Sequence, residues 1–126
     1  MKVLIVEGSE ELGGLWARVL TRNAMDVTLT ATEDGAIAHL QTSETPNIII
    51  ADLDLPGAGA MAVADYAAYR HPDARIIFVT AASFFSDGSI FAHSPNACAF
   101  LPARTAPEDL AAVVEFHGQR NRAARG

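Results

Sequence analysis

Three continuous apolar runs constrain the fold of this chain more than any other feature. They cover residues 3–6, 48–51 and 76–79 and consist largely of Val, Leu and Ile. A half-exposed strand alternates apolar with polar residues, whereas a continuous run is typical of a strand buried on both faces of a parallel sheet. The sequence therefore predicts a parallel sheet with helices packed against both of its faces.

Stretches with helical spacing alternate with these runs along the whole chain. Strands are predicted over residues 2–6, 25–32, 47–52, 74–81 and 97–102, and helices over 10–23, 33–43, 60–70, 83–93 and 107–119. Thr32 or Asp34 would cap the second helix, and Gly13 and Gly14 each weaken the first by about 1 kcal/mol relative to Ala. The fold class is a doubly wound α/β sandwich, with one domain over 1–119 and a basic tail over 120–126.

Charge and composition exclude several classes of protein. The chain has 126 residues, half of them hydrophobic, and a net charge of -6, which argues against direct nucleic-acid binding and against docking on an anionic membrane. Its single cysteine, Cys98, excludes an intrachain disulfide, and no apolar run approaches the ~20 residues of a membrane span. We expect a cytoplasmic protein.

Polar residues stand where the predicted strands end. Glu7 follows the first strand, Asp52 closes the third, Thr80 stands at the end of the fourth, and Ala103 follows the fifth. In open α/β sheets the ligand site lies beyond the carboxyl ends of the central strands. Asp52 therefore either performs chemistry at this edge or caps a turn.

Four segments together resemble the response-regulator receiver domain of bacterial two-component signalling, the CheY-like group. They are VLIVE, IIIADLDLPG, IIFVTA and NACAFLPARTAPEDL, and the resemblance extends over residues 2–117. It implies the strand order 2-1-3-4-5 and a phosphoacceptor role for Asp52. It also implies that Thr80 is the hydroxyl that bonds the phosphoryl group and that Phe100 is the aromatic that repositions with it.

The resemblance further implies a Mg²⁺ ion held by Glu7, Asp52 and the backbone carbonyl of Asp54. Two positions depart from the family pattern. Gly8 stands where a second metal-binding acid is usual, so we expect weakened metal affinity. Ala103 stands where the family carries a lysine paired to the phosphoryl group, and the neighbouring Arg104 points the other way on an extended segment.

These departures leave alternatives open. Asp52 is phosphorylated at a compromised site, or the domain is a pseudo-receiver that acts through protein contacts without phosphorylation. A simple turn-capping role is disfavoured by the motif around Asp52. Asp54 either tunes the loss of the phosphoryl group or is a solvated loop acid.

The implied partners are a histidine kinase or phosphotransfer protein and a downstream effector protein. The effector would dock on the face formed by the predicted fourth helix, the fifth strand and the last helix, where a homodimer is also an alternative. That predicted helix carries Phe84, Phe85, Ile90 and Phe91. Beyond self-catalysed phosphoryl transfer and autodephosphorylation, no enzymatic activity is expected.

Overall fold

One parallel sheet with the strand order β2-β1-β3-β4-β5 forms the centre of the molecule. The computed structural model describes residues 1–42, 44–81 and 95–125, with side chains through Gln119. Its strands are β1 (Lys2–Val6), β2 (Asp26–Thr30), β3 (Ile48–Asp52), β4 (Arg75–Thr80) and β5 (Ala97–Pro102). Its helices are α1 (Glu10–Arg22), α2 (Glu33–Thr42), α3 (Gly59–Arg70) and α4 (Pro107–Arg125). The predicted fold class and strand order are confirmed.

Two apolar cores lie on opposite faces of the sheet. On one face α2 and α3 pack against alternate strand residues, among them Leu4, Ile49 and Phe78. On the other face α1 and α4 cover the intervening residues, among them Ile5, Ile50 and Ile77. Because both faces of β1, β3 and β4 are covered, these strands read as continuous apolar runs in the sequence.

The two edge strands have a different character. In β2 exposed and half-buried residues mix, and Leu29 keeps 43% of its surface in solvent. In β5 the residues from Ala97 to Leu101 are half-buried, and Pro102 is exposed. Cys98 is accordingly half-buried rather than fully enclosed.

Local hydrogen bonds set the starts of the first two helices. The Ser9 hydroxyl accepts from the Leu12 N–H at 3.2 Å and caps α1. At α2 the Thr32 hydroxyl accepts from the Gly35 N–H at 3.0 Å, so Thr32 rather than Asp34 forms this cap. Each side chain satisfies a backbone donor that the first helical turn cannot pair.

Gly13 places α1 against the carboxyl end of β1. A β-carbon at this buried position would lie 2.8 Å from Leu29 Cδ1 and 3.4 Å from Glu7 Cβ. The glycine thus weakens the helix but permits its close approach to the residue that follows β1.

The helix α4 continues to Arg125, beyond the predicted end at residue 119. The predicted helix over 83–93, with its four large apolar side chains, lies outside the described residues. Within the described ranges, no helix combines the length and apolar character that crossing a membrane requires.

Candidate functional site

Glu7 and Asp52 meet at the carboxyl edge of the sheet. β1 pairs with β3 up to the Val6–Ala51 rung, so the next residue of each strand lies beside its counterpart. Both side chains are largely enclosed, with 6% and 8% of their surface exposed, and their carboxyl groups are hydrogen-bonded to each other. The Glu7 Oε1 atom also accepts from the Ser9 N–H at 3.2 Å.

This enclosure changes the acidity of Glu7. Burial is the largest cause and raises its pKa from 4.5 to about 7. The hydrogen bond to Asp52 and the negative charges of Asp52 and Asp54 raise the pKa further, while the Ser9 N–H lowers it. At neutral pH, Glu7 therefore spends a large share of its time protonated and donating to Asp52.

Asp54 connects the end of β3 to the end of β4. Its backbone N–H donates to Asp52 Oδ1 at 2.8 Å. Its carboxylate turns toward β4, where Oδ1 accepts from the Thr80 hydroxyl at 3.0 Å and Oδ2 accepts from the Ala81 N–H at 2.7 Å. Asp54 is thus an organised part of the site rather than a merely solvated loop acid.

Thr80 and Phe100 lie on the same side of the sheet. Thr80, only 1% exposed, is in register with Pro102 on β5, and Phe100 precedes Pro102 by two residues. Residues in register share a face, as do residues two apart along a strand. Phe100 is half-buried against the α2–α3 core, one rung below the acids.

The structure therefore brings Glu7, Asp52, Asp54 and Thr80 into one cluster and places Phe100 diagonally below Thr80. Sequence reasoning missed two members of this cluster, the Ser9 and Ala81 backbone amides. Backbone donors carry no residue-type signal, so they become visible only when the loop conformations are known.

No described side chain forms an ion pair with Glu7, Asp52 or Asp54. Among the described side chains the ion pairs are those of Lys2, with Asp26 at 3.7 Å and with Glu44 at 3.3 Å, at the opposite end of the sheet. Ala103 contributes its backbone N–H, which donates to the Thr80 carbonyl at 2.8 Å, and Arg104 is exposed. The carboxylates therefore rely on backbone amides, the Thr80 hydroxyl and the Glu7 proton.

The donor set partly matches what Mg²⁺ prefers. Two adjacent carboxyl groups, Glu7 and Asp52, together with the Asp54 carbonyl would supply oxygen ligands, and water would complete the shell. Within the described residues no group of three or more His, Cys, Asp or Glu side chains is arranged to hold a metal ion. Binding of Mg²⁺ at this edge stays a prediction.

Gly8 accounts for the missing ligand. A β-carbon at Gly8 would have one near neighbour, Leu55 Cδ2 at 3.4 Å, an ordinary van der Waals contact. The position is exposed and admits a side chain, so the absence of a carboxylate here comes from the residue type and not from the backbone.

Comparison with known proteins points to one family. A model of the response regulator receiver domain matches residues 3–115. The DNA-binding transcriptional regulator NtrC of Escherichia coli K12 is 30% identical over 90 residues, covering 71% of this chain and 19% of that protein. The chain thus spans about a fifth of the length of this curated relative.

Solved structures agree with this match. A CheY-like receiver domain from Methanospirillum hungatei superimposes with a TM-score of 0.86 at 20% identity, covering 98% of this chain and 97% of that one. The signal receiver domain of a putative Luxo repressor protein from Vibrio parahaemolyticus gives 0.86 at 25% identity, covering 98% and 94%.

Proposed function

This chain belongs to the response regulator receiver domain family, and we propose that it accepts a phosphoryl group on Asp52 and relays the change to a partner protein. The phosphodonor would be a histidine kinase, a phosphotransfer protein or a small phosphodonor. The observation that carries the proposal is the position of Asp52 at the edge of β3, beside Glu7 and linked through Asp54 to Thr80.

In the proposed reaction an Asp52 carboxylate oxygen attacks the phosphorus atom. The new oxygen–phosphorus bond forms an acyl phosphate as the bond to the donor's leaving atom breaks, and the leaving group takes that electron pair. The Asp54 N–H on Asp52 Oδ1 fixes the orientation of the nucleophile. A bound divalent cation on Glu7, Asp52 and the Asp54 carbonyl would offset the charge of the phosphoryl oxygens.

Thr80 and Phe100 are the proposed route from the site to the surface. A phosphoryl group on Asp52 would take a hydrogen bond from the Thr80 hydroxyl, and Phe100 would repack on the same side of the sheet. The effector face would include β5 and α4, where Phe116 keeps 54% of its surface exposed. A net charge of -6 favours a protein partner over nucleic acid.

A pseudo-receiver is the second candidate, and a specific observation favours it. Gly8 and Ala103 stand where the family usually carries a metal-binding acid and a lysine. The Thr80 hydroxyl, moreover, already donates to Asp54 without any phosphoryl group. Such a domain would bind partners in a single state.

Intact mass after incubation with Mg²⁺ and acetyl phosphate separates the two candidates. One added phosphoryl group, absent in Asp52→Asn and absent without Mg²⁺, is expected for the receiver. Asp65→Asn is the matched control, because Asp65 is an exposed acid on α3. An unmodified mass in a folded wild-type chain would favour the pseudo-receiver.

A further inference from the structure

The Asp54 carboxylate accepts hydrogen bonds from both donors at the end of β4, the Thr80 hydroxyl and the Ala81 N–H. We propose that Asp54 is a built-in competitor, which a phosphoryl group on Asp52 has to displace before it can bond to the Thr80 hydroxyl and the Ala81 N–H. The inference rests on the proposed phosphorylation of Asp52 and goes beyond it, because it assigns Asp54 a positioning role in the unmodified chain.

Hydrogen bonds hold both oxygen atoms of the Asp54 carboxylate. Each carboxylate oxygen has its own donor, Thr80 on Oδ1 at 3.0 Å and Ala81 on Oδ2 at 2.7 Å. Hydrogen bonds to an ionised carboxylate are stronger than those between neutral groups. The backbone at Asp54 is also held in place, because the Asp54 N–H donates to Asp52 Oδ1 and the Leu53 N–H donates to the Val79 carbonyl at 2.8 Å.

The two donors differ in their access to water. Thr80 is buried, so its hydroxyl exchanges hydrogen bonds only with neighbouring protein or ligand atoms. Ala81 follows the last residue of β4 and is exposed, so its N–H bonds to water when the Asp54 carboxylate leaves. A phosphoryl group bound to Asp52 would present anionic oxygens to the same atoms, so the two acceptors exclude each other.

Competition differs from simple charge repulsion in a measurable way. Repulsion between Asp54 and a phosphoryl group acts whether or not Thr80 has a hydroxyl. Competition for the Thr80 hydroxyl requires that hydroxyl, so this part of the effect of removing Asp54 should depend on Thr80. A double-mutant cycle isolates this dependence.

The probe for the cycle is beryllofluoride with Mg²⁺, titrated into the full chain and followed by fluorine NMR. Asp54→Ala is expected to bind the probe about tenfold more tightly than wild type, as the release of a charge-assisted hydrogen bond implies. Thr80→Val keeps the side-chain volume, and in that background the gain in affinity should be smaller, because only the competition for the Ala81 N–H remains. Asp65→Ala serves as the control for removal of an exposed acid.

A second measurement tests the unmodified chain without metal or probe. In Asp54→Ala the Ala81 amide proton should move upfield in a proton–nitrogen spectrum and exchange faster with solvent, while Asp65→Ala leaves it in place. An Ala81 resonance with the same position and exchange rate in wild type and Asp54→Ala would overturn the proposal.

The outcomes separate this proposal from the one on which it rests. Two outcomes overturn competition alone, provided that wild type binds the probe. In one, Asp54→Ala binds beryllofluoride no more tightly than wild type. In the other, Asp54→Ala raises the affinity equally in the wild-type and Thr80→Val backgrounds. If no variant binds, or Asp52→Asn binds as well as wild type, phosphorylation of Asp52 is overturned and competition with it.

Discussion

Glu7 and Asp52 lie side by side with their carboxyl groups hydrogen-bonded, and no described cationic side chain pairs with either of them. Two adjacent buried acids cannot both carry full charge without an energetic cost, so one of them retains a proton. Burial, with the nearby Asp52 and Asp54 as smaller causes, raises the pKa of Glu7 to about 7.

Stability of the metal-free protein should therefore fall as the pH rises. Between the ordinary value of 4.5 and about 7, the folded chain holds a proton on Glu7 that the unfolded chain has lost. The free energy of unfolding decreases through this window, by roughly 3 kcal/mol at most, and the contribution is fully present only at lower pH. Urea unfolding in EDTA at several pH values measures it.

Glu7→Gln provides the control, because the amide retains a donor toward Asp52 and does not titrate. The variant should show a flatter pH profile between 4.5 and about 7 and should be more stable than wild type above that range. An equal slope in wild type and variant would assign the pH dependence to other groups.

Substitution by alanine should change the stability of the protein differently at the two adjacent glycines of α1. A β-carbon at Gly14 meets only Arg18 Nη1 at 3.8 Å, so Gly14→Ala should stabilise the protein by about 1 kcal/mol through helix propensity. At Gly13 the same carbon lies 2.8 Å from Leu29 Cδ1, and part of the gain is lost in displacing that side chain. Thermal unfolding of both variants gives the comparison, and a larger gain at Gly13 would contradict it.

The sequence predicted the sheet well because burial on both faces leaves a strong pattern. The runs of β1, β3 and β4 are continuous, and their order follows from the family resemblance. The C-terminal end of α4 could not be predicted as well, because the residues after 119 are Arg, Asn, Ala and Gly and include no large apolar side chain at helical spacing.

The candidate site was predicted in its residue types but not in its contacts. Placing Asp52 and Thr80 at the ends of their strands required only the strand assignment, and the adjacency of these strands follows from the order that the family resemblance implies. The direction of the Asp54 carboxylate depends on the turn after β3, where Leu55 N–H bonds back to the Asp52 carbonyl at 3.3 Å. No side-chain pattern encodes that turn in enough detail to assign an acceptor to Thr80.

His71 joins α2, α3 and the segment before β3. Its buried ring donates through Nε2 to the Leu40 carbonyl at 2.7 Å and bonds through Nδ1 to the Thr45 hydroxyl at 2.9 Å. His71→Ala should lower the free energy of unfolding by about 2–3 kcal/mol, since a buried carbonyl loses its donor and a cavity opens. Urea unfolding checks this, with His39→Ala at a half-buried position of α2 as the control, and equal losses in the two variants would contradict it.

Restoring an acid at Gly8 should strengthen metal binding. The position accepts a β-carbon at an ordinary 3.4 Å contact with Leu55 Cδ2, so Gly8→Asp adds a carboxylate beside Glu7 and Asp52 without displacing backbone. We expect Mg²⁺ affinity to rise by about tenfold or more in calorimetric titration, because a further charged oxygen ligand replaces water. Ser9→Asp is the matched control, since it adds the same charge one residue away and still caps α1. An equal rise in both variants would show that local charge alone attracts the ion, whereas no rise in Gly8→Asp would show that the two existing carboxyl groups do not hold Mg²⁺ at this edge.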